Sequence, residues 1–167
     1  MEINIKSLGD LDKAITKVIY NWETFYLKFD IQFKKKEKMN RPLNIFQAKE
    51  IGKESWELFT NIWFDGNKEK LIFTQKTHNG TKTFEIDEFE FDKKISIVVT
   101  TSNIYVDDKS QNYINPDARF NDQRVDNKLK SKSLQVTIAV SYTELFTVTN
   151  FKLTNRPMEN SRGFYYV

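Results

Sequence analysis

Residues 7–33 read SLGDLDKAITKVIYNWETFYLKFDIQF, and the fold class turns on the change of hydrophobic period inside this stretch. Ser7 and Asp10 resemble a capping box with aspartate at the third helical position. Leu8, Leu11, Ile15, Val18, Ile19 and Trp22 then recur at spacings of three and four, leaving Asp12, Lys13, Thr16 and Lys17 off the stripe. This spacing predicts an amphipathic helix over about residues 7–22. From Phe25 the period becomes two: Phe25, Leu27, Phe29, Ile31 and Phe33 alternate with Tyr26, Lys28, Asp30 and Gln32, the pattern of a strand with one buried face. Helix stripe and strand face can cover each other. The expected class is α+β, one N-terminal amphipathic helix packed on a mainly antiparallel, hairpin-rich sheet.

Working outward, Lys34-Lys35-Lys36-Glu37-Lys38 and Arg41-Pro42 end that strand, because a charge run cannot continue a buried face and proline removes a ladder donor. Trp56, Leu58, Thr60, Ile62 and Phe64 alternate like a strand, while Trp56, Phe59 and Trp63 would also line a short helix; the Asp65-Gly66 turn that follows favours the strand. Leu71 to Gln75 and Thr81 to Phe91 flank His78-Asn79-Gly80, whose Asn-Gly pair suits a tight hairpin turn. In the second arm the apolar parity switches from Phe84 and Ile86 to Phe89 and Phe91, which predicts a bulge near Asp87-Glu88. Lys94 to Val106, with Ile95, Ile97, Val98, Val99, Thr100 and Thr101, reads as one further strand. Leu134, Val136, Ile138 and Val140, followed by Phe146, Val148, Phe151 and Leu153, read as a second hairpin with a parity slip near Asn150. The organisation expected is one domain over residues 1–167. It comprises the helix, a β-rich stretch over 24–106, a polar loop or arm over 107–131, a hairpin over 132–154 and an aromatic tail over 155–167.

Composition removes several chemistries. With 167 residues and no cysteine, the chain has no thiolate nucleophile, disulfide framework or cysteine-type zinc site. His78 is the sole histidine and sits in a turn pattern, so acid–base catalysis at neutral pH lacks its usual carrier. Five glycines, with no Gly-x-Ser-x-Gly elbow and no P-loop, disfavour nucleophile elbows and phosphate-cradling loops. Glu88, Glu90 and Asp92 alternate with Phe89 and Phe91, which makes them the solvated side of a strand, and Asp107-Asp108 reads as a strand-ending turn. The expectation is therefore no enzyme, no cofactor and no bound metal. Met1-Glu2-Ile3-Asn4-Ile5-Lys6 does not resemble a secretory signal and no apolar run reaches membrane-spanning length, so a cytoplasmic, membrane-free protein is expected.

The leading functional expectation is a structural or assembly protein that acts through contacts with other protein subunits in an oligomer or larger complex, such as a bacteriophage tail, neck or baseplate component. Its partner-binding candidates are Tyr113, Ile114, Phe120 and Val125 in the polar arm and Phe164, Tyr165 and Tyr166 in the tail. The alternative is a nucleic-acid-binding module using Tyr26, Lys28, Lys34, Lys35, Lys36, Lys38 and Arg41, with Arg124, Lys128, Lys130 and Lys132 as a second basic patch. A formal charge of +3 provides only weak electrostatic steering for it. A third possibility is a small-ligand or chaperone-like binding protein with a pocket lined by Trp22, Phe25, Phe29 and Trp56.

Overall fold

The computed structural model describes residues 2–8, 14–20, 22, 24–34, 42–51, 60–77, 80–87, 90–111, 133–138 and 145–167, and these contain no α-helix. The first strands are β1 (Glu2–Ser7), β2 (Ile15–Tyr20), β3 (Tyr26–Phe33), β4 (Pro42–Glu50), β5 (Thr60–Asp65), β6 (Lys70–Thr77) and β7 (Gly80–Ile86). They are followed by β8 (Lys94–Thr100), β9 (Ile104–Val106), β10 (Lys109–Ser110), β11 (Ser133–Ile138), β12 (Phe146–Thr154), β13 (Glu159–Asn160) and β14 (Gly163–Phe164). One sheet has the order β1-β12-β3-β8-β9-β10, the other β2-β11-β4-β5-β6-β7, and β13 and β14 form a separate hairpin.

The two large sheets face each other across a single apolar layer, and alternation along each strand supplies it. Leu27, Phe29, Ile31 and Phe33 of β3 point inward with Phe146, Val148, Phe151 and Leu153 of β12, against Phe46 of β4, Ile62 and Phe64 of β5 and Phe73 of β6. Phenylalanine does much of the bridging. Phe64 lies 5.6 Å from Phe33 and 5.7 Å from Phe146, ring centre to ring centre, and Phe46 lies 6.2 Å from Phe151. Such tilted pairs add about 0.5–1.5 kcal/mol each beyond the area they bury. The architecture is a β-sandwich: the chain alternates between sheets from β1 to β4, lays β4–β7 side by side in one sheet and β8–β10 in the other, and crosses again at β11 and at β12.

The expected α+β class is therefore corrected to all-β. Within the expected helix, residues 15–20 form β2, and residues 9–13, 21 and 23 lie outside the described residues. Four of the six residues of β2, Ile15, Thr16, Val18 and Ile19, are β-branched, which disfavours helix and suits a pleated surface. β2 joins the edge of a sheet, with Ile19 opposite Leu134 and Ile15 opposite Ile138. Alternation then separates the supposed stripe: Ile19 is fully buried while Val18 is 38% and Tyr20 67% exposed.

Two further expectations change. Residues 132–154 are not a hairpin, because β11 pairs with β2 and β4 in one sheet while β12 pairs with β1 and β3 in the other. Lys94–Val106 is not one strand either: the chain turns at Thr101–Asn103 and β9 folds back antiparallel on β8. Other expectations are met in whole or in part. β6 and β7 pair from Leu71↔Ile86 to Thr77↔Gly80, but the second arm, expected to reach Phe91, ends at Ile86. Phe91 and Asp92 sit in a turn, with Phe91 52% exposed and Asp92 at a φ of 62°, so Glu90 and Asp92 are not the solvated side of a strand. The parity slip in β12 is a register shift between Thr149 and Lys152, with Asn150 at a φ of 53°. The bulge expected at Asp87-Glu88 involves residues 88 and 89, outside the described residues.

One end of the interior is polar. Across sheet β2-β11-β4-β5-β6-β7 the register aligns Ala48, Thr60, Gln75 and Lys82 in one inward row. The Gln75 amide donates to the Thr100 carbonyl of the opposite sheet, tying the layers together. Burial lowers the pKa of the Lys82 ammonium.

Candidate functional site

The second apolar cluster lies outside the sandwich, on the outer face of the sheet containing β3 and β8. Register places Lys28, Val98, Tyr105 and Ser110 in one row across β3, β8, β9 and β10. The C-terminal segment folds back over this face, so Tyr26, Val98, Tyr105 and Tyr165 pack together with Met158 beside them. Tyr105 meets Tyr165 edge-on at 4.9 Å between ring centres.

Polar contacts fix the returning tail at several points. The Tyr165 N–H donates to the Met158 carbonyl at 3.0 Å, and the Tyr165 hydroxyl donates to the Asp108 carboxylate. Burial first, and this carboxylate second, push the Tyr165 hydroxyl pKa well above its ordinary value. The Tyr166 carbonyl accepts from the Asn103 amide at 3.1 Å and from the Tyr105 hydroxyl at 3.2 Å, with the Thr100 hydroxyl also at 3.2 Å. Asp107 and Asp108 both have positive φ, at 48° and 66°, and Val106 pairs with Lys109 around them. This is the geometry of a two-residue hairpin turn, whose central positions favour short polar residues. The opposing β13–β14 turn is closed by the Arg162 N–H donating to the Asn160 side chain at 2.8 Å, with Gly163 at a φ of 130° that other residues rarely adopt.

Between these two turns lies an open cleft of about 540 Å3. Its strand side carries Tyr105, Asp108, Lys109 and Ser110, and its tail side carries Asn160, Arg162, Phe164 and Tyr166. Phe164 is 48% and Tyr166 71% exposed, although both are large aromatic residues. Alternation explains the contrast with Tyr165, which is only 2% exposed: in the extended tail one side chain turns to the sheet and its neighbours turn away.

Of the sequence candidates, Phe164 and Tyr166 line this cleft, and Tyr165 lies beneath it as an anchor. Tyr113, Ile114, Phe120 and Val125 lie outside the described residues, as do Lys35, Lys36, Lys38, Arg41, Arg124, Lys128, Lys130 and Lys132. Tyr26 is not the exposed platform expected of a nucleic-acid surface, because the tail covers it to 5% exposure. Lys28 is half-buried opposite Lys152, which reaches Glu2 at 3.7 Å. Lys34 closes β3, its N–H donating to the Leu145 carbonyl. Trp22, Phe25 and Phe29 are core residues of the sandwich, and Trp56 and His78 lie outside the described residues. Sequence reading missed Tyr105, Asp108, Lys109, Ser110, Asn160 and Arg162. The legible signal was a pair of turns, Asp107-Asp108 and Asn160 to Gly163, but nothing in the pattern says that two turns so far apart in sequence meet.

No protein-family model and no curated protein sequence matches this chain. Among solved structures, the botulinum neurotoxin serotype D binding domain aligns with 95% of this chain and 40% of its own, at 13% identity and a TM-score of 0.53. The botulinum neurotoxin type G receptor-binding domain aligns over 93% of this chain and 44% of its own, at 15% identity and a TM-score of 0.49. Trypanosoma rangeli sialidase aligns over 83% and 22%, at 16% identity and a TM-score of 0.49. This chain thus spans less than half the length of each, and at such identities the serotype D likeness concerns the all-β fold alone.

Proposed function

We propose that this protein is a non-catalytic recognition module, one subunit of a larger assembly, and that it engages its partner through the cleft between the β9–β10 turn and the C-terminal hairpin. The observation that carries this reading is the pair of exposed aromatic rings, Phe164 and Tyr166, mounted on a backbone held by buried Tyr165 and by the donors converging on the Tyr166 carbonyl. Exposed aromatics leave apolar area in water at no gain to the fold, whereas rigid aromatic and arginine side chains beside a concavity are the usual anchors of binding. The tail is preorganised, so little ordering cost is left for the binding step. Among the described residues, the only carboxylate lining the cleft is that of Asp108. It already accepts from Tyr165, which favours a positioning role over proton transfer.

Soaking crystals in a library of small aromatic, amide and carboxylate fragments tests the site whatever the identity of the partner. The expected result is that bound fragments concentrate between Phe164, Tyr166 and Arg162, and that a Phe164→Ser/Tyr166→Ser variant of unchanged stability loses them. An empty cleft with fragments seated elsewhere would remove the basis of this reading.

A further inference from the structure

One strand at the edge of the sandwich has half of its backbone bonding left over. Among the described residues β1 has a neighbour on one side only, β12. The direction of its spare groups follows from the ladder. In an antiparallel pair the two residues either exchange both backbone bonds or turn both away from each other. The Thr100 N–H donates to the Asn103 carbonyl at 2.8 Å and the Ser96 carbonyl accepts from Asp107 at 2.9 Å, so these residues of β8 face the β9 side. Along the pairs Tyr26↔Thr100, Thr154↔Tyr26 and Glu2↔Thr154, Tyr26 and Thr154 then face each other and Glu2 faces away from β12. Asn4 and Lys6 share the parity of Glu2, and the backbone N–H and C=O groups of all three line the free edge. The same three residues are exposed, whereas Ile3 is buried and Ile5 packs against the core.

We infer that β1 is the surface through which two copies of this chain pair, strand to strand and antiparallel, about a two-fold axis at Asn4. A second copy is the occupant because the edge is complementary to itself. With Asn4 opposite Asn4 of the second copy, Glu2 falls opposite Lys6 and Lys6 opposite Glu2, so both charges are matched and every spare N–H and C=O of the three residues finds a partner. Glu2 already reaches Lys152 of its own sheet at 3.7 Å, on the face where Lys6 of the second copy would stand. On the inner face Ile3 meets Ile5 of the second copy and prolongs the apolar side of the sheet. Other registers that keep inner residues against inner ones lose the charge match: centring on Ile3 sets Glu2 against Asn4, and centring on Ile5 sets Lys6 against Asn4. Like charges along an edge strand deter pairing, whereas opposite charges placed symmetrically about a central amide select one register. β2, the corresponding edge of the other sheet, lacks this symmetry, because its one charged residue, Lys17, could meet only itself or isoleucine. The cleft borders β9 and β10, at the far edge from β1, so the pairing leaves it open in both copies and does not depend on the recognition role.

Sedimentation equilibrium of the full chain over a range of concentrations is the test, and the expected result is a reversible monomer–dimer equilibrium. Asn4→Pro removes an N–H that β12 does not use, so it should abolish the dimer while leaving the circular dichroism and urea midpoint of the dilute monomer unchanged. Glu2→Lys and Lys6→Glu each set like charges against each other at two places, and each should weaken self-association about tenfold or more. Mixed in equal amounts, the two variants should associate again. One then presents lysine at both positions and the other glutamate at both, and every facing pair is of opposite charge in the register about Asn4. A wild type still monomeric at about 1 mM overturns the pairing. So does a dimer that survives Asn4→Pro, or a mixture that associates no better than either variant alone. A monomer whose cleft still fills with fragments would sink this inference and leave the recognition role standing.

Discussion

Tyr165 shows how a single residue can set up a site without lining it. Its ring is buried against Tyr105 and its hydroxyl ends on Asp108, while the residues on either side are exposed at the lining of the cleft. Tyr165→Phe keeps the ring and removes one hydrogen bond to a charged acceptor. Because Asp108 is exposed, the expected loss is about 1–2 kcal/mol, read as a lowered urea midpoint at neutral pH. The pH dependence has a definite sign. The folded-state pKa of this hydroxyl lies above its ordinary 10.0, so the unfolded chain releases the proton first. The stability the hydroxyl contributes is fully present below about pH 10 and declines as pH rises through the folded value. Urea titrations from about pH 9 to about pH 11 should therefore show a shallower decline for Tyr165→Phe than for the wild type, and parallel slopes would place the shift elsewhere.

At the level of elements, β2 separates two readings of one stretch. A helical stripe would bury both Val18 and Ile19, whereas a strand can bury only one of them. Ile19 is buried opposite Leu134 and Val18 faces outward, so Val18→Asp should change stability by less than about 0.5 kcal/mol while Ile19→Ala costs about 2–5 kcal/mol. Comparable losses in the two variants would revive the helix. The misreading has a physical origin: Ile15, Val18, Ile19 and Trp22 satisfy helical spacing by coincidence, while the β-branched run and the vacant edge of β11 settle the matter only through a partner more than 110 residues away, at Ser133–Ile138. Elements whose alternation is long and self-sufficient were legible, as in β3, or in the β6–β7 pair closed by a short turn. The slip at Asn150 was legible too, because two apolar runs of opposite parity need an extra residue, and a left-handed Asn bonded to Asp30 at 2.9 Å supplies it. The sheet to which each strand belongs was not. Leu134–Ile138 and Phe146–Leu153 look like adjacent arms of one hairpin, yet each finds a better-matched neighbour in a different sheet. Half of the site was visible as an aromatic tail, and its other half, Asp108 to Ser110, was hidden inside what read as a polar arm.

For the whole molecule the chief consequence is that stability resides in two separate apolar clusters. The larger fills the space between the sheets, and its ladder joins distant parts of the chain, Glu2 pairing with Thr154. The smaller, Tyr26, Val98, Tyr105 and Tyr165, sits on the outside of one sheet and shares no residue with the first. The tail from Asn155 onward contributes Met158 and Tyr165 to the small cluster and nothing to the large one. Removing residues 155–167 should then leave the sandwich folded, with an unchanged far-ultraviolet circular dichroism signature of β-sheet. It should also uncover Tyr26, Val98 and Tyr105 as an apolar patch that binds a hydrophobic dye. The expected stability loss is about 3–5 kcal/mol, comparable with excising one large buried aromatic side chain. Hydrogen exchange locates the boundary in the intact protein: amides of Tyr165 and Tyr166 should exchange through a local opening well below the global unfolding free energy, while those of β3 and β12 exchange only with it. If truncation instead unfolds both sheets, or if Tyr165 exchanges together with Phe29, the tail belongs to one cooperative unit with the sandwich. The cleft would then be as rigid as the core itself.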